Sequence, residues 1–194
     1  ICRMIDETAA AGAKVIVFPE LCITGYTCGD LFTQEILLSE AREALHKIAE
    51  YTRGKDALVF VGVPLAVEGE LYNVAAALNQ GKILGLTTKT FLPNYGEFYE
   101  MRQFRQGPKT AREIWFGNEK VPFGPQLLFV SPVMEPLVVS AEICEDVWSP
   151  VPPSIAAARE GATLIVNCSA SDETIGKSAY RRSLIEGQSA RLIC

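Results

Sequence analysis

Apolar and polar residues follow two different periods along this chain, and these periods predict helices and strands in turn. Helical spacing predicts helices over residues 1–10, 33–52 and 153–160, with another that begins after Asp172. Short continuous apolar runs predict strands over residues 14–18, 57–64, 72–78, 82–89, 127–130, 137–144 and 163–168. Because helices and strands are interleaved, we expect an α/β fold in which helices stack on a mixed sheet.

The strands predicted over residues 57–64, 72–78 and 82–89 are joined by short turn-like segments, Glu68-Gly-Glu and Asn79-Gln-Gly-Lys. Connections of this length predict an antiparallel meander. The segment that follows, residues 91–126, is rich in aromatic residues, glycine and proline, and we expect it to be irregular. Irregular segments of this length often carry function.

The helix predicted over residues 33–52 has one apolar and one polar face. Thr33 is the expected N-cap, and Gly54 is the expected stop signal. The single histidine, His46, falls on the polar face. We therefore expect His46 to be solvated rather than catalytic.

Both ends of the chain fall inside helical patterns. Residues 1–10 read as a helix already under way, and residues 183–194 stop inside another one. We therefore expect the chain to be a fragment of a longer polypeptide, and its residues 1–194 to form one domain.

Composition narrows the classes of partner. The net charge of −5 gives no support to binding of nucleic acids or acidic membranes, which usually leaves a basic footprint. No apolar run approaches the roughly 18 residues that span a bilayer. The chain also lacks a signal-like start, so we expect a cytoplasmic protein with free thiols.

The cysteines give no sign of a metal centre. There are six, none at Cys-x-x-Cys spacing, and only one histidine accompanies them. We therefore expect no metal site, and we expect five of the six to be ordinary small apolar residues. The sixth, Cys144, follows a predicted strand and precedes two carboxylates.

Three predicted strands, far apart in sequence, lead into reactive side chains: Glu20, Lys89 and Cys144. Side chains that leave their strands in the same way converge at one edge of a sheet. An acid, an amine and a thiol together form a covalent catalyst that needs no histidine. Taken singly, each also has a structural explanation, as a solvated glutamate, a lysine at a strand edge or a packed cysteine.

The surroundings of these residues favour the catalytic interpretation. Three blocks closely resemble the signature blocks of the nitrilase, or carbon–nitrogen hydrolase, superfamily: Phe-Pro-Glu-Leu-Cys-Ile-Thr-Gly-Tyr (18–26), Lys-Thr-Phe-Leu-Pro-Asn-Tyr-Gly-Glu-Phe-Tyr-Glu (89–100) and Cys-Glu-Asp-Val-Trp-Ser-Pro (144–150). Within this superfamily, the chain looks most like the glutaminase domains of glutamine-dependent NAD synthetases. The resemblance covers residues 1–194 and implies an α-β-β-α sandwich with mixed β-sheets, truncated at both ends.

The resemblance also implies a mechanism. Cys144 would attack the side-chain amide of glutamine, and Glu20 would act as general base and then general acid. Lys89 and the backbone N–H after Cys144 would stabilise the oxyanion. Glu97 matches an additional glutamate of the superfamily and would position Lys89 or the thiol, although a surface carboxylate in a loop is the plainer alternative.

For substrate binding, the family pattern places a tyrosine, a serine and a basic residue around the glutamine. The matching residues here are Tyr95, Ser171 and Lys177. Glu145 would hold the substrate ammonium or amide group. Tyr26 and Trp148 would line the glutamine pocket, or would serve only in packing.

The resemblance assigns no cofactor to this domain. ATP and Mg would be used by a C-terminal NAD synthetase domain of the same polypeptide, and the family implies a homo-oligomer. Two alternatives remain open in the superfamily: a stand-alone amidase acting on a small amide or nitrile, and a catalytically silent docking domain. A thiol redox protein would need a resolving cysteine at Cys-x-x-Cys spacing.

Overall fold

The structure, a computed structural model, describes all residues from Ile1 to Cys194. It contains five α-helices: α1 (Cys2–Ala10), α2 (Glu35–Tyr51), α3 (Glu100–Gln103), α4 (Pro153–Arg159) and α5 (Lys177–Leu192). It contains nine strands: β1 (Val15–Val17), β2 (Leu58–Val67), β3 (Glu70–Asn79), β4 (Lys82–Thr88), β5 (Arg112–Phe116), β6 (Glu119–Gly124), β7 (Leu128–Val130), β8 (Val138–Ile143) and β9 (Leu164–Cys168). Two 3-10 helices cover Tyr26–Thr33 and Cys144–Trp148.

The strands form two mixed sheets. The larger sheet has six strands in the order β1-β2-β3-β4-β6-β5, and the smaller has three in the order β7-β8-β9. The predicted meander is confirmed, since β2, β3 and β4 pair antiparallel. The pairs β1–β2, β4–β6 and β8–β9 are parallel.

Strand β2 shows how the layers are stacked. Val59, Val61 and Val63 belong to the apolar core that the large sheet shares with α1 and α2. Phe60 points to the opposite face and joins a second core with residues of the small sheet, such as Val139. Because successive side chains of a strand face opposite sides, one strand serves both cores. With α4 packed on β8, the layers form the expected α-β-β-α sandwich.

The segment 91–126 is more regular than its composition indicates. It contains the short helix α3 and a hairpin of β5 and β6, whose ends Phe116 and Glu119 pair across a two-residue turn. The prediction of an irregular segment was wrong for residues 112–124, because a high content of glycine and proline does not exclude a hairpin. Pro122 is exposed within β6, where Val121 and Phe123 alternate inward, and proline is tolerated in strands close to a sheet edge.

Two details of α2 also differ from prediction. Thr33 ends the preceding 3-10 helix and donates its hydroxyl to the carbonyl of Asp30 (2.7 Å), so Gln34 is the N-cap instead. His46 is half-buried, and its ring centroid lies 4.7 Å from that of Phe116. The hairpin missed in the sequence thus covers a residue that was expected in solvent.

One close approach places the functional segment after β1 against the sheet. Gly62 of β2 has no room for a side chain, because a Cβ there would lie 2.2 Å from the backbone nitrogen of Leu21 and 2.7 Å from the carbonyl carbon of Glu20. The backbone that bears Glu20 therefore packs directly on the strand.

No helix of the structure combines the length and hydropathy needed to cross a membrane.

Candidate active site

The centre of the candidate site is a buried ion pair between Glu20 and Lys89. The Lys89 ammonium donates a 2.6 Å hydrogen bond to Oε1 of Glu20, and neither side chain has any exposed area. Both residues follow strands of the large sheet, β1 and β4. The structure therefore brings together two of the three residues singled out by their strand ends.

Two further donors hold the Glu20 carboxylate in place. The Asn73 side-chain amide donates to Oε1 (2.7 Å), and the backbone N–H of Ala170 donates to Oε2 (3.2 Å). Oε1 thus accepts two hydrogen bonds, whereas Oε2 accepts one. A carboxylate oxygen has two lone pairs, so Oε2 can accept one more hydrogen bond.

Lys89 has a second carboxylate partner, and it is Glu100. Lys89 Nζ donates to Glu100 Oε1 at 2.6 Å, and the Tyr26 hydroxyl donates to the same oxygen at 2.8 Å. Glu97, which the sequence pattern assigned to this role, is exposed and makes no hydrogen bond to Lys89 or Cys144. Glu97 instead lines a cavity of ≈ 500 Å³ together with Tyr26 and Glu100.

Cys144 sits at a tight elbow where β8 passes into a 3-10 helix. Its φ of 42° lies in the left-handed region, which non-glycine residues seldom adopt. The Asn167 side chain stabilises this backbone conformation with two hydrogen bonds. It accepts one from the N–H of Cys144 (3.1 Å) and donates the other to the carbonyl of Cys144 (3.4 Å). Strained backbone held by its surroundings is typical of functional sites.

The Cys144 sulfur faces the segment that follows β9. The hydroxyl of Ser169 donates to Sγ at 3.3 Å. The next residue, Ala170, is the one whose N–H binds Glu20. Through these neighbouring contacts the thiol is placed beside the buried ion pair, so that Glu20, Lys89 and Cys144 form one cluster.

Two buried carboxylates brace the elbow. Asp146 accepts hydrogen bonds from the backbone N–H groups of Thr90 (3.0 Å), Phe91 (2.8 Å) and Ile143 (2.9 Å). These bonds connect the segment after Lys89 to the elbow that bears Cys144. Burial raises the pKa of Asp146 to about 7. Glu142 accepts the N–H of Ser154 (3.2 Å) and a donor of Asn167 (3.3 Å).

The charges around the sulfur favour the thiol over the thiolate. Burial, reinforced by the Glu20 charge, raises the pKa of Cys144 to about 11, although Lys89 acts in the opposite direction. Burial alone would lower the pKa of Lys89, but the charges of Glu20 and Glu100 outweigh it, so this pKa is raised and Lys89 stays an ammonium. A protonated nucleophile needs a base at the moment of attack.

The residues expected to bind substrate fall into two groups. In the first, the Tyr95 hydroxyl donates to the Glu145 carboxylate (2.9 and 3.0 Å), and burial together with this bond raises the pKa of Tyr95 to about 12. The ring of Phe98 lies between Tyr95 (5.8 Å between centroids) and Tyr26 (6.4 Å). Phe98, which was not singled out, therefore belongs to this aromatic wall.

The second group gathers around Lys177. Its ammonium lies 5.6 Å from the ring centroid of Trp148 and 5.8 Å from that of Phe98, and it forms an ion pair with Asp172. Trp148 in turn stacks on Tyr180. Phe98 contacts both groups, so Tyr95 and Lys177 flank one aromatic surface.

Ser171 lies beside a cation that the sequence pattern did not indicate. Its hydroxyl is 3.5 Å from the guanidinium of Arg181, which also donates to the carbonyl of Asp172 (3.1 Å) and pairs with Glu173. Arg181 follows Lys177 by one helical turn of α5, a spacing that places both on the same face. The site thus has two basic groups near its rim.

A sequence model of the carbon-nitrogen hydrolase family matches residues 1–189. The chain belongs to this family. Among curated relatives, the glutamine-dependent NAD(+) synthetase of Mycobacterium leprae is 37% identical over 193 residues, which cover 100% of this chain and 28% of the relative. The resemblance seen in the sequence is therefore confirmed for the family.

Solved structures of the family agree with the fold. A glutamine-dependent NAD(+) synthetase from Cytophaga hutchinsonii superposes with a TM-score of 0.87 at 34% identity, covering 100% of this chain and 31% of that one. An amidase from Nesterenkonia AN1 gives a TM-score of 0.69 at 22% identity, covering 98% and 66%; at this identity the likeness shows the fold alone. The chain spans less than a third of the length of the synthetases it matches.

Several polar residues around this carbon-nitrogen hydrolase site were not predicted. Glu100 stands three residues after Glu97 in the same block, and its burial within α3 could be seen only in three dimensions. Asp146 carried a sequence signal, since it lies two residues after Cys144. Asn73, Asn167 and Ser169 are uncharged residues of strands or strand ends, and no spacing distinguished them.

Proposed function

We propose that this chain is the glutamine amidohydrolase domain of a glutamine-dependent NAD synthetase. In this role it hydrolyses glutamine through a Cys144 thioester and supplies ammonia for the formation of NAD from deamido-NAD. The observation that carries the proposal is the buried Glu20–Lys89 pair beside the Cys144 thiol. The 37% identity to a relative named for glutamine-dependent NAD synthesis supports the choice of substrate.

The first half of the reaction uses the free acceptor on Glu20. Oε2 takes the thiol proton as the Cys144 sulfur attacks the amide carbon, and the carbonyl π electrons move onto oxygen. Lys89 donates two hydrogen bonds to carboxylates and has three N–H groups, so one remains for this oxyanion. The N–H of Cys144 itself is bound to Asn167, which leaves the N–H of Glu145 as the backbone donor.

The second half reverses the roles of the groups. Glu20 passes its proton to the amide nitrogen as the C–N bond breaks, so that ammonia leaves and a glutamyl thioester remains. Glu20 then takes a proton from water, whose oxygen attacks the thioester carbon. The sulfur departs and receives that proton, which releases glutamate and restores the thiol.

Two groups of residues at the rim of the site, one around Tyr95 and one around Lys177, would recognise the substrate. The Glu145 carboxylate, oriented by Tyr95, suits the ammonium of an amino acid, and Lys177 with Ser171 suits its carboxylate. Lys177 is paired with Asp172 in the structure, so a bound carboxylate would share that ammonium. Tyr26 and Trp148 would flank the aliphatic part of the glutamine.

Other parts of the proposal concern the longer polypeptide. The matched synthetases extend well beyond the region this chain covers, and we assign ATP and Mg to a C-terminal synthetase domain there. A solved relative from Acinetobacter baumannii is described in complex with ADP. We also retain a cytoplasmic location and a homo-oligomer as parts of this proposal.

The test of this division of labour uses the full-length polypeptide. Cys144→Ala is expected to abolish NAD synthesis driven by glutamine and to leave synthesis driven by added ammonia intact. Loss of both activities would contradict the proposal. Ammonia-driven activity of the variant also shows that the protein is folded, so the experiment contains its own control.

A labelling experiment tests the site itself. A glutamine-derived electrophile is expected to modify Cys144, and free glutamine is expected to protect it. Labelling of Cys22 and Cys168 to the same extent as Cys144 would contradict the assignment of Cys144 as the nucleophile. Hydrolysis of a small amide without protection by glutamine would favour the stand-alone amidase, and the absence of any labelling would favour a silent docking domain.

A further inference from the structure

The hydroxyl of Ser169 has one hydrogen-bond partner in the structure, the sulfur of Cys144 at 3.3 Å. No sequence pattern pointed to this serine, because Ser171 is the one that matches the family's substrate-binding serine. The two serines face different groups: Ser171 contacts Arg181 and the carbonyl of Asp172. Of the two serines, Ser169 is the one whose hydroxyl contacts the sulfur that reacts.

The backbone around Ser169 fixes this contact from both sides. Two residues earlier, Asn167 binds the N–H and the carbonyl of Cys144. One residue later, the N–H of Ala170 binds Glu20 Oε2. The backbone of Ser169 is thus held between the nucleophile and the general base, which keeps its hydroxyl within reach of the sulfur.

We propose that Ser169 is a catalytic residue whose hydroxyl donates a hydrogen bond to the Cys144 sulfur when that sulfur carries negative charge. The charge develops twice in the proposed reaction, when Glu20 takes the thiol proton and when the thioester C–S bond breaks. No bond to Ser169 forms or breaks, and no proton leaves it. This inference rests on the proposed function for its second step only.

The need for such a donor follows from the other groups that face the sulfur. The charge of Glu20 disfavours a thiolate, and the positive charge of Lys89, which favours one, is shared between two carboxylates. The other donor directed at the sulfur, the backbone N–H of Ala170, is shared with Glu20. A hydrogen bond to a charged atom is stronger than one to a neutral atom. The Ser169 hydroxyl therefore stabilises the thiolate more than the thiol, which is the condition for accelerating the reaction.

The experiment measures the rate at which iodoacetamide alkylates Cys144 as a function of pH in the full-length protein, with peptide mass spectrometry to separate the six cysteines. Ser169→Ala is expected to move the midpoint up by about one pH unit, because a hydrogen bond to a charged group has about that effect on a pKa. Ser169→Thr keeps the hydroxyl and is expected to restore the midpoint. Ser140→Ala is the matched control, since the Ser140 hydroxyl is buried in β8 and donates to the carbonyl of Leu127 (3.0 Å).

The kinetic counterpart is a fall of about tenfold in kcat for glutamine hydrolysis with KM little changed, because the contact is made to the sulfur and not to the substrate. A Ser169→Ala profile that coincides with the wild type overturns the inference, as does a shift of equal size in Ser140→Ala. Alkylation requires no glutamine. Failure of the wild-type protein to hydrolyse glutamine would therefore refute the proposed function while the thiol measurement still decides the role of Ser169.

Discussion

Lys89 donates hydrogen bonds of equal length, 2.6 Å, to Glu20 and to Glu100. The ammonium thus bridges a carboxylate that follows β1 and another that begins α3. Glu100 is itself oriented by the Tyr26 hydroxyl. Position in the motif would assign this bridging role to Glu97, whereas the contacts assign it to Glu100.

Glu100→Gln is expected to lower kcat by about tenfold to a hundredfold, since a misplaced catalytic group costs up to that much. The amide removes one of the two negative charges that hold Lys89, so that the ammonium is paired with Glu20 alone and is positioned less firmly. Steady-state glutamine hydrolysis by the full-length protein measures the effect. Glu70→Gln is the control, because Glu70 pairs with Arg105 at the surface. A larger loss in Glu97→Gln than in Glu100→Gln would return the role to Glu97.

Glu20→Gln is expected to inactivate glutamine hydrolysis and yet to make Cys144 more reactive toward iodoacetamide at pH 8. The negative charge of Glu20 raises the pKa of the thiol, so its removal lowers that pKa and increases the thiolate fraction at a fixed pH. Lys89→Met is expected to act in the opposite direction. If Glu20→Gln slowed alkylation instead, Glu20 would not be the group that keeps the sulfur protonated.

Asn167→Ala is expected to reduce kcat by at least about tenfold while KM stays within a factor of about two, because the change displaces the nucleophile and leaves the rim intact. The variant loses both bonds that hold Cys144 in its left-handed conformation. Asn79→Ala is a matched control, since Asn79 donates to the carbonyl of Ala57 at 2.9 Å at the far end of β3. Equal losses in the two variants would show a general effect on stability.

Gly62→Ala is expected to lower both the stability and the activity of the protein. The new methyl group would overlap the backbone that bears Glu20, and overpacking typically costs about 1–3 kcal/mol. Gly187→Ala is the opposite case, because Gly187 lies inside α5 with open space around it, and it is expected to gain about 0.5–1 kcal/mol. Thermal unfolding and glutamine hydrolysis are measured on both variants. Full activity in Gly62→Ala would contradict this explanation.

The sequence was sufficient to predict the elements that carry strong periodicity or apolar runs. Helix α2, the meander of β2 to β4 and the strands leading to Glu20, Lys89 and Cys144 were all predicted. The β5–β6 hairpin was missed because the segment 91–126 was assessed by its content of aromatic residues, glycine and proline, although β6 has an alternating pattern that includes Pro122. A local pattern cannot show that a strand lies near a sheet edge, where a missing N–H is tolerated.

The candidate site shows the same limit more sharply. Charged residues after strands are visible in a sequence because their chemistry is unusual there, and the resemblance of the surrounding blocks to a known family then favoured catalytic roles for Glu20 and Lys89. The contacts of Asn73, Asn167 and Ser169 depend on which strands become neighbours in space. Residues 142 and 143 pair with residues 167 and 168, and the extension of that pairing, rather than any spacing in the chain, brings Ser169 to the sulfur of Cys144.

The complete burial of the Glu20–Lys89 pair also determines how the site responds to dissolved salt. Ions weaken attractions between exposed charges over a Debye length of about 8 Å at physiological ionic strength, but they screen buried pairs much less. The exposed pair of Lys14 and Asp56 is open to such screening. Neither side chain of the Glu20–Lys89 pair has exposed area, so we expect the strength of this pair to change little with the ionic composition of the surrounding solution.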